Sequence, residues 1–518
     1  MLTQLYSAAV DGLNATIIQV EVNLSPGMKF TLVGLPDNAV RESYDRIHAA
    51  FNNTGFRMPV CKTVINMAPA NIRKEGSGYD LPMAIGIMAC NNVVAQDRLK
   101  NFILLGELGL DGSLHPIRGA LPMAIKAREE HFEGIILPAD NAREAAVVNQ
   151  LKVYGAHNLC EVVDFLNGKP ALEQTIVDTR REFHEQQNMA APDFIDVKGQ
   201  ESVKRALEVA AAGGHNIIMI GSPGCGKSMM AKRVPSILPP LSLRESLETT
   251  QIHSVAGLLP PESSLMTQRP FRSPHHTISD VGLCGGGNTF RPGEICLAHN
   301  GVLFMDELPE FSRNVLETLR QPLEDRVISI SRAKYNIQLP CSIMLVAAMN
   351  PCPCGFYNDP QHSCDCTPGQ IKRYMNKISG PFLDRIDIHC EIQAVPFAEL
   401  SKMKPGEPSA VIRERVIAAR RIQEQRFAAV KGIHCNAQMT DKLLHQFAEP
   451  DTAGHNMLRV AMERLNLSAR AYTRILKVAR TIADLDGSDQ IQSHHIAEAI
   501  GYRNLDRGDW AERGAQNL

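Results

Sequence analysis

The apolar positions change period along the chain, and the changes mark out its parts. Residues 15–22 alternate apolar and polar, as a half-buried strand does, and residues 30–33 read as a second strand. Residues 37–51 switch to helical spacing, with Val40, Tyr44, Ile47 and Phe51 on one side. Short apolar runs at 63–67, 102–105 and 134–137 predict further strands, and 81–89 predicts a buried helix. Together they predict an α/β or α+β domain over residues 1–170. Residues 171–195 are polar without periodicity and read as a linker. Residues 196–396 alternate buried strands (216–220, 302–305, 342–349) with helices (203–212, 228–234, 314–325), the pattern of an α/β core. Residues 327–331 and 335–339 alternate on either side of Arg332, Ala333 and Lys334, which predicts a β-hairpin with a basic tip. Residues 397 to about 505 are helical, with segments at 410–425, 441–447, 465–485 and 493–500, and the chain to 518 reads as a tail.

Composition narrows the picture. The 518 residues carry 54 Lys and Arg against 56 Asp and Glu, a net charge of −2. No global basic field announces nucleic acid, so any DNA contact must use local basic loops. The N-terminus lacks the basic and apolar regions of a signal peptide, and no stretch is apolar enough to span a bilayer. The 13 cysteines are mostly scattered singly, which suits a reducing cytoplasm better than a disulfide framework.

The most specific chemistry is Gly221, Ser222, Pro223, Gly224, Cys225, Gly226, Lys227 and Ser228, which fit the phosphate-loop template G-x-x-x-x-G-K-[ST] at every fixed position. The glycines let backbone N–H groups turn onto phosphate oxygens; Lys227 brings a charge to the β- and γ-phosphates, and Ser228 offers a hydroxyl to Mg²⁺. A strand before it and a helix after it are the context such a loop needs. These residues imply a nucleoside triphosphate as the ligand. Downstream, residues 302–305 end in Asp306 and Glu307, a buried strand delivering one acid to Mg²⁺ and one to the attacking water.

Three further positions resemble AAA+ ATPases. Asn350 ends a buried strand where those enzymes place a water-orienting sensor. Arg385, in Pro381-Phe-Leu-Asp-Arg-Ile-Asp387, matches the arginine finger given to a neighbouring subunit, which implies a ring. Arg470 opens a C-terminal helix where a second sensor arginine sits in the lid, with Arg474 one turn on as the alternative. The 332–334 hairpin corresponds to the pre-sensor 1 hairpin that MCM-type helicases direct into a pore. Between Lys227 and Asp306 the chain is longer than one crossover needs, and the excess holds Arg269, Arg272, His275 and His276. It reads as an insertion offering a DNA loop or a subunit-packing loop.

Cys352, Cys354, Cys364 and Cys366 form two C-x-C pairs on one turn-rich loop, a candidate tetrahedral Zn²⁺ site or a set of free thiols. The stretch from Gly106 to Asn141 resembles the proteolytic domain of Lon. Lon's Ser–Lys dyad falls on Gly78 and Leu121, which cannot do that chemistry, and only Ser77 with Lys126 remains as a substitute.

With GSPGCGKS, MDELPEF, AMNPCPCG, SGPFLDRID and SARAYTRILKVARTIADLDG in this order, essentially the whole chain resembles the magnesium-chelatase-related AAA+ family of ComM/YifB proteins. The resemblance implies an α/β protein with a Lon-protease-like N-terminal domain, an AAA+ core and a helical lid. It further implies a bacterial, cytoplasmic homo-hexamer that hydrolyses ATP to branch-migrate DNA, branched or single-stranded, without sequence preference. The rival expectation is a motor acting on a protein partner without DNA, as in magnesium chelatase or MoxR-like chaperones.

Overall fold

A computed structural model describes residues 2–186, 192–260, 263–287, 290–332, 335–359, 361–393, 404–430, 432–465 and 467–503. The chain divides into two compact units. The first holds Met1–Asn188, Ser242–Thr267 and Gly286–Pro292, and the second holds Met189–Leu241, Gln268–Gly285 and Gly293–Leu518.

In the first unit, seven strands form one sheet. These are β1 (Leu2–Asp11), β2 (Asn14–Ser25), β3 (Phe30–Val33), β4 (Lys62–Ala68), β5 (Phe102–Leu104), β8 (Gly134–Pro138) and β9 (Lys152–Ala156), while β6 (Glu107–Leu108) and β7 (Leu114–His115) form a separate ribbon. The order is β3-β4-β2-β1-β5-β8-β9. β2 runs antiparallel to β1 and β4, and the outer pairs are parallel. Alternation on β2 buries Ile18, Val20 and Val22. The helix Asp80–Cys90 is buried along its whole length, which its apolar circumference requires. It lies so close to the sheet that a Cβ on Gly86 would stand 2.5 Å from Val22 Cγ2.

The boundaries differ from the sequence reading in two places. Residues 243–256, which the sequence reading includes in the α/β core, form a helix, Leu243–Ala256, that folds with the first unit. Its start is fixed by a Ser242–Glu245 capping box. It packs on the helix Ala120–Glu129, and the Gly119 N–H donates to the Ser254 carbonyl at 3.0 Å. Residues 171–186 are structured as well. The Thr175 N–H donates to the Val153 carbonyl at 2.8 Å, and the helix Thr179–Gln186 buries Phe183. A few apolar side chains suffice to seat this segment, too few to give it a period.

In the second unit, β10 (Ile217–Gly221), β11 (Phe271–Arg272), β12 (Val302–Met305), β15 (Met344–Met349) and β16 (Ile388–Ile392) form an all-parallel sheet in the order β11-β12-β15-β10-β16. Every residue of β10, β12 and β15 is buried, as a sheet covered on both faces demands. Since β10 lies inside the sheet, the carboxyl ends of β10, β12 and β15 emerge side by side. Phe271 and Arg272, read from the sequence as part of an insertion, form β11 of this sheet, parallel to β12. β13 (Val327–Arg332) and β14 (Tyr335–Pro340) pair antiparallel from Val327↔Pro340 to Arg332↔Tyr335, the expected hairpin. Lys334 lies outside the described residues.

The C-terminal region is helical: Ser409–Arg426, Asp441–Phe447, Thr452–Leu465, Ala469–Leu485 and Ser493–Gly501. The expected helix over 465–485 begins instead at Ala469, where the Ser468 hydroxyl caps it by accepting the Ala471 N–H at 3.2 Å. Thr452–Leu465 had no sequence signal because it buries only Gly454 and Leu458.

Candidate nucleotide and metal-binding site

The loop after β10 has the backbone its sequence demands. Gly224 and Gly226 take φ of +80° and +92°, conformations that side chains resist. Gly221 is excluded from substitution for another reason: a Cβ there would stand 2.4 Å from the Ile392 carbonyl oxygen. Gly226 then caps the short helix Lys227–Ala231. The Lys227 ammonium is buried and donates to the Gly221 carbonyl at 2.6 Å, the Ser222 carbonyl at 2.9 Å and Asn350 Oδ1 at 3.2 Å. These are contacts a phosphate would replace.

From the next strand but one, Asp306 Oδ2 accepts the Ser228 hydroxyl at 2.6 Å. A hydroxyl and a carboxylate oxygen side by side are the hard donors Mg²⁺ takes, and this pair fits that ion. Glu307 follows in the left-handed region at φ +52° and ψ +47°, and its side chain is 58% exposed. A non-glycine residue held there costs roughly 1–2 kcal/mol, a strain that concentrates at working carboxylates. His276 Nδ1 lies 3.3 Å from Glu307 Oε2. The sequence placed His276 in a DNA loop; the fold sets it beside the candidate catalytic acid. β11 is only two residues long, so periodicity gave no signal for it.

The other candidates occupy distinct settings. Arg385 is 7% exposed; its guanidinium pairs with Glu324 at 2.9 Å and donates to the Arg320 carbonyl at 3.2 Å. Arg470 is 64% exposed and lies 3.3 Å from Asp384, next to Arg385 in the chain. Arg474 is mostly covered and pairs with buried Asp387 at 2.8 Å. Asp387 also accepts the Asn216 N–H at 3.1 Å and faces His215 at 3.3 Å, and the Asn216 amide donates to the Arg385 carbonyl at 3.1 Å. No sequence motif announced this network at the foot of β10.

Arg269 and Arg272 do not line a basic loop. Arg269 donates to the carbonyls of Pro239 at 2.6 Å and Asn300 at 2.7 Å. Arg272 makes a bidentate pair with Glu294 at 2.6 and 2.7 Å, and that carboxylate raises its pKa further. Both hold the end of the sheet together. Arg332, by contrast, is exposed at the end of β13.

The four loop thiols converge. Cys352 Sγ lies 3.3 Å from Cys354 Sγ and 3.7 Å from Cys364 Sγ, and all four sulfurs fall within 4.8 Å of one another. Zn–S bonds of about 2.3 Å at tetrahedral angles ask for sulfurs about 3.8 Å apart, so the donor set fits that ion. Burial pushes the Cys354 thiol up, but N–H groups of Phe356 and Asp365 and the Cys352 sulfur outweigh it, bringing it to about 6. In the first unit, the Ser77 hydroxyl donates to Glu107, while Lys126 pairs with Glu130 at 2.8 Å and Glu129 at 3.6 Å. The two are not joined as a dyad.

Comparison with known proteins bears on all of the chain. Residues 193–400 match the family described as magnesium chelatase, subunit ChlI; residues 20–141 match subunit ChlI of Mg-chelatase; residues 406–503 match its C-terminal family. The competence protein ComM of Haemophilus influenzae is 43% identical over 509 residues, 97% of each chain. The YifB protein of Escherichia coli is 43% identical over 511 residues, 98% of each. A more distant match, 21% over 343 residues, is the zygotic DNA replication licensing factor mcm6-A of Xenopus laevis, covering 61% of this chain and 37% of that one. Near-complete coverage at this identity, over a parallel-sheet core with a phosphate loop, decides the family: the chain belongs to the ComM/YifB group of magnesium-chelatase-related AAA+ proteins.

Proposed function

We propose that this protein is a Mg²⁺-dependent ATPase whose hydrolysis drives branch migration of DNA, as a homo-hexamer, in homologous recombination and the integration of transforming DNA. The observation that carries the ATPase reading is the placing of Lys227 and Ser228 after β10 and of Asp306 and Glu307 after β12, two strands apart in one sheet, with Ser228 bonded to Asp306. Lys227 binds the phosphates, Ser228 and Asp306 would hold Mg²⁺, and Glu307 takes a proton from the attacking water. When bound, Mg²⁺ neutralises phosphate charge. Asn350, within reach of Lys227, orients the water. Arg385 acts on a neighbour's ATP once released from Glu324, and exposed Arg470 serves the nucleotide of its own subunit.

DNA enters through the exposed end of the β13–β14 hairpin at Arg332, with Lys334 beside it in sequence. Cations without base-reading groups suit a motor that moves through any sequence. The similarity to a competence protein and to a DNA replication licensing factor points the same way. We place Zn²⁺ at Cys352, Cys354, Cys364 and Cys366 and the protein in the cytoplasm with its free thiols, and we read the first unit as Lon-like without protease chemistry and the C-terminal helices as a lid. The test is a four-way DNA junction. It should be resolved with ATP and stay intact with a non-hydrolysable analogue.

A second reading, a motor remodelling a protein partner, is favoured by the magnesium chelatase match over 193–400. DNA that leaves hydrolysis unchanged, beside a protein partner that raises it, would select this reading.

A further inference from the structure

We infer that the four-cysteine loop is a brace on the phosphate loop, so that a thiophilic metal ion of the Zn²⁺ class held there sets nucleotide affinity. The inference rests on reading residues 221–228 as the nucleotide site.

The cysteine loop touches the phosphate loop at two points. Gly355, at φ +90°, lies so close that a Cβ would stand 2.7 Å from Pro223 Cδ. Asp359 accepts the Ser222 hydroxyl, and its side chain is only 1% exposed. The same carboxylate accepts the N–H groups of Gln361 at 2.8 Å and His362 at 3.0 Å, with the His362 ring at 3.2 Å. Asp359 is thus fixed by its own loop while it fixes the Ser222 hydroxyl. Around the junction, Gly221, Ser222, Tyr357 and Asp359 line a cleft of about 70 Å³.

The four cysteines close this loop over its longest span, from Cys352 to Cys366, outside the shorter closure made by the Phe356 and His362 rings, whose centroids lie 4.7 Å apart. Cys352 follows Asn350 by two residues, and Cys364 and Cys366 lie beyond Asp359. Joining the four sulfurs shortens the span that carries Gly355 and Asp359. A short closed loop leaves its members little freedom, whereas four unligated thiols let Asp359 wander from Ser222. Bracing matters because a phosphate loop binds through N–H groups that must already point inward.

The test combines two variants with metal removal. Cys366→Ser removes a ligand, and Asp359→Asn keeps all four thiols while weakening the contact to Ser222. Elemental analysis counts zinc, and a fluorescent ADP analogue reports Kd. Zinc-loaded wild type should bind nucleotide. Zinc-free wild type, Cys366→Ser and Asp359→Asn should each bind roughly tenfold more weakly, the equivalent of one charge-assisted hydrogen bond. In Asp359→Asn protein, removing zinc should change Kd less than twofold, since the relay is already cut. Equal Kd with and without zinc, or fully additive effects, overturns the brace. Should Cys366→Ser fail to fold, Asp359→Asn carries the test. If zinc-loaded wild type binds no nucleotide, the phosphate-loop reading itself falls.

Discussion

Arg474 and Asp387 form a buried ion pair, Nη1 standing 2.8 Å from Oδ1, that ties the helix Ala469–Leu485 to the foot of β10. Burial raises the Asp387 carboxyl; the Arg474 guanidinium and the His215 ring outweigh it and hold it well below the usual carboxylate range. Its contribution to stability is therefore complete above the unfolded value of about 4 and declines as pH falls below it. Arg474→Ala should destabilise the fold by roughly 3–5 kcal/mol, since it leaves a buried carboxylate unpaired. Arg470→Ala should cost less than about 0.5 kcal/mol, because its partner Asp384 shares solvent. Urea midpoints separate the two. A large loss in Arg470→Ala would remove the distinction between a covered arginine and an exposed one.

Lys477 gives the same region an alkaline signature. Burial, then the charge of Arg474, brings its ammonium down to about 8 from its ordinary 10.5. The unfolded chain binds the extra proton between these values, so stability from this group rises with pH across that window. The shift amounts to roughly 3 kcal/mol. Wild type compared with Lys477→Met should gain by about that much between pH 8 and 10.5. A difference that stays flat across the window would mean that Lys477 is not desolvated.

At the phosphate loop, Lys227→Ala should abolish measurable nucleotide binding, for the buried ammonium is the counter-charge. Glu307→Gln should bind as wild type while turnover falls by roughly 10²–10⁴. Nucleotide titration and phosphate release read the two separately. Wild-type turnover in Glu307→Gln would move the base elsewhere.

The phosphate loop is legible in the sequence because its chemistry is local, eight consecutive residues between a strand and a helix. The hairpin is legible for the same reason, two alternating runs about one tip. The Asp387 network is not, because His215 and Asp387 lie 172 positions apart. Nor is the Ser222–Asp359 contact, whose partners are separated by 137 positions. The internal contacts of Arg269 and Arg272 are hidden in another way. Basic residues between prolines look solvated, yet carbonyls and Glu294 take their donors.

For Arg385, the decisive measurement is mixing. Arg385→Ala should keep ATP affinity and lose turnover, and Lys227→Ala protein should restore part of it, by pairing an intact pocket with an intact arginine. No recovery in proven mixed assemblies would make Arg385 act within its own chain, where Glu324 already holds it.

At the hairpin, Arg332→Ala combined with Lys334→Ala should preserve basal ATPase and assembly. DNA stimulation and branch migration should fall together, and the remaining DNA affinity should depend less steeply on salt. Undiminished branch migration would place the DNA path away from this tip.

The polypeptide passes between its two compact units five times, at 188/189, 241/242, 267/268, 285/286 and 292/293. The units are therefore not separable modules of the gene. A deletion ending at residue 188 would leave the helix Leu243–Ala256 in place but strip Leu247 and Leu265 of the apolar cluster around Leu121, Ala124 and Ile135. Grafting the first unit from a relative means transplanting three stretches of chain together, one of them spliced between the phosphate loop and β11.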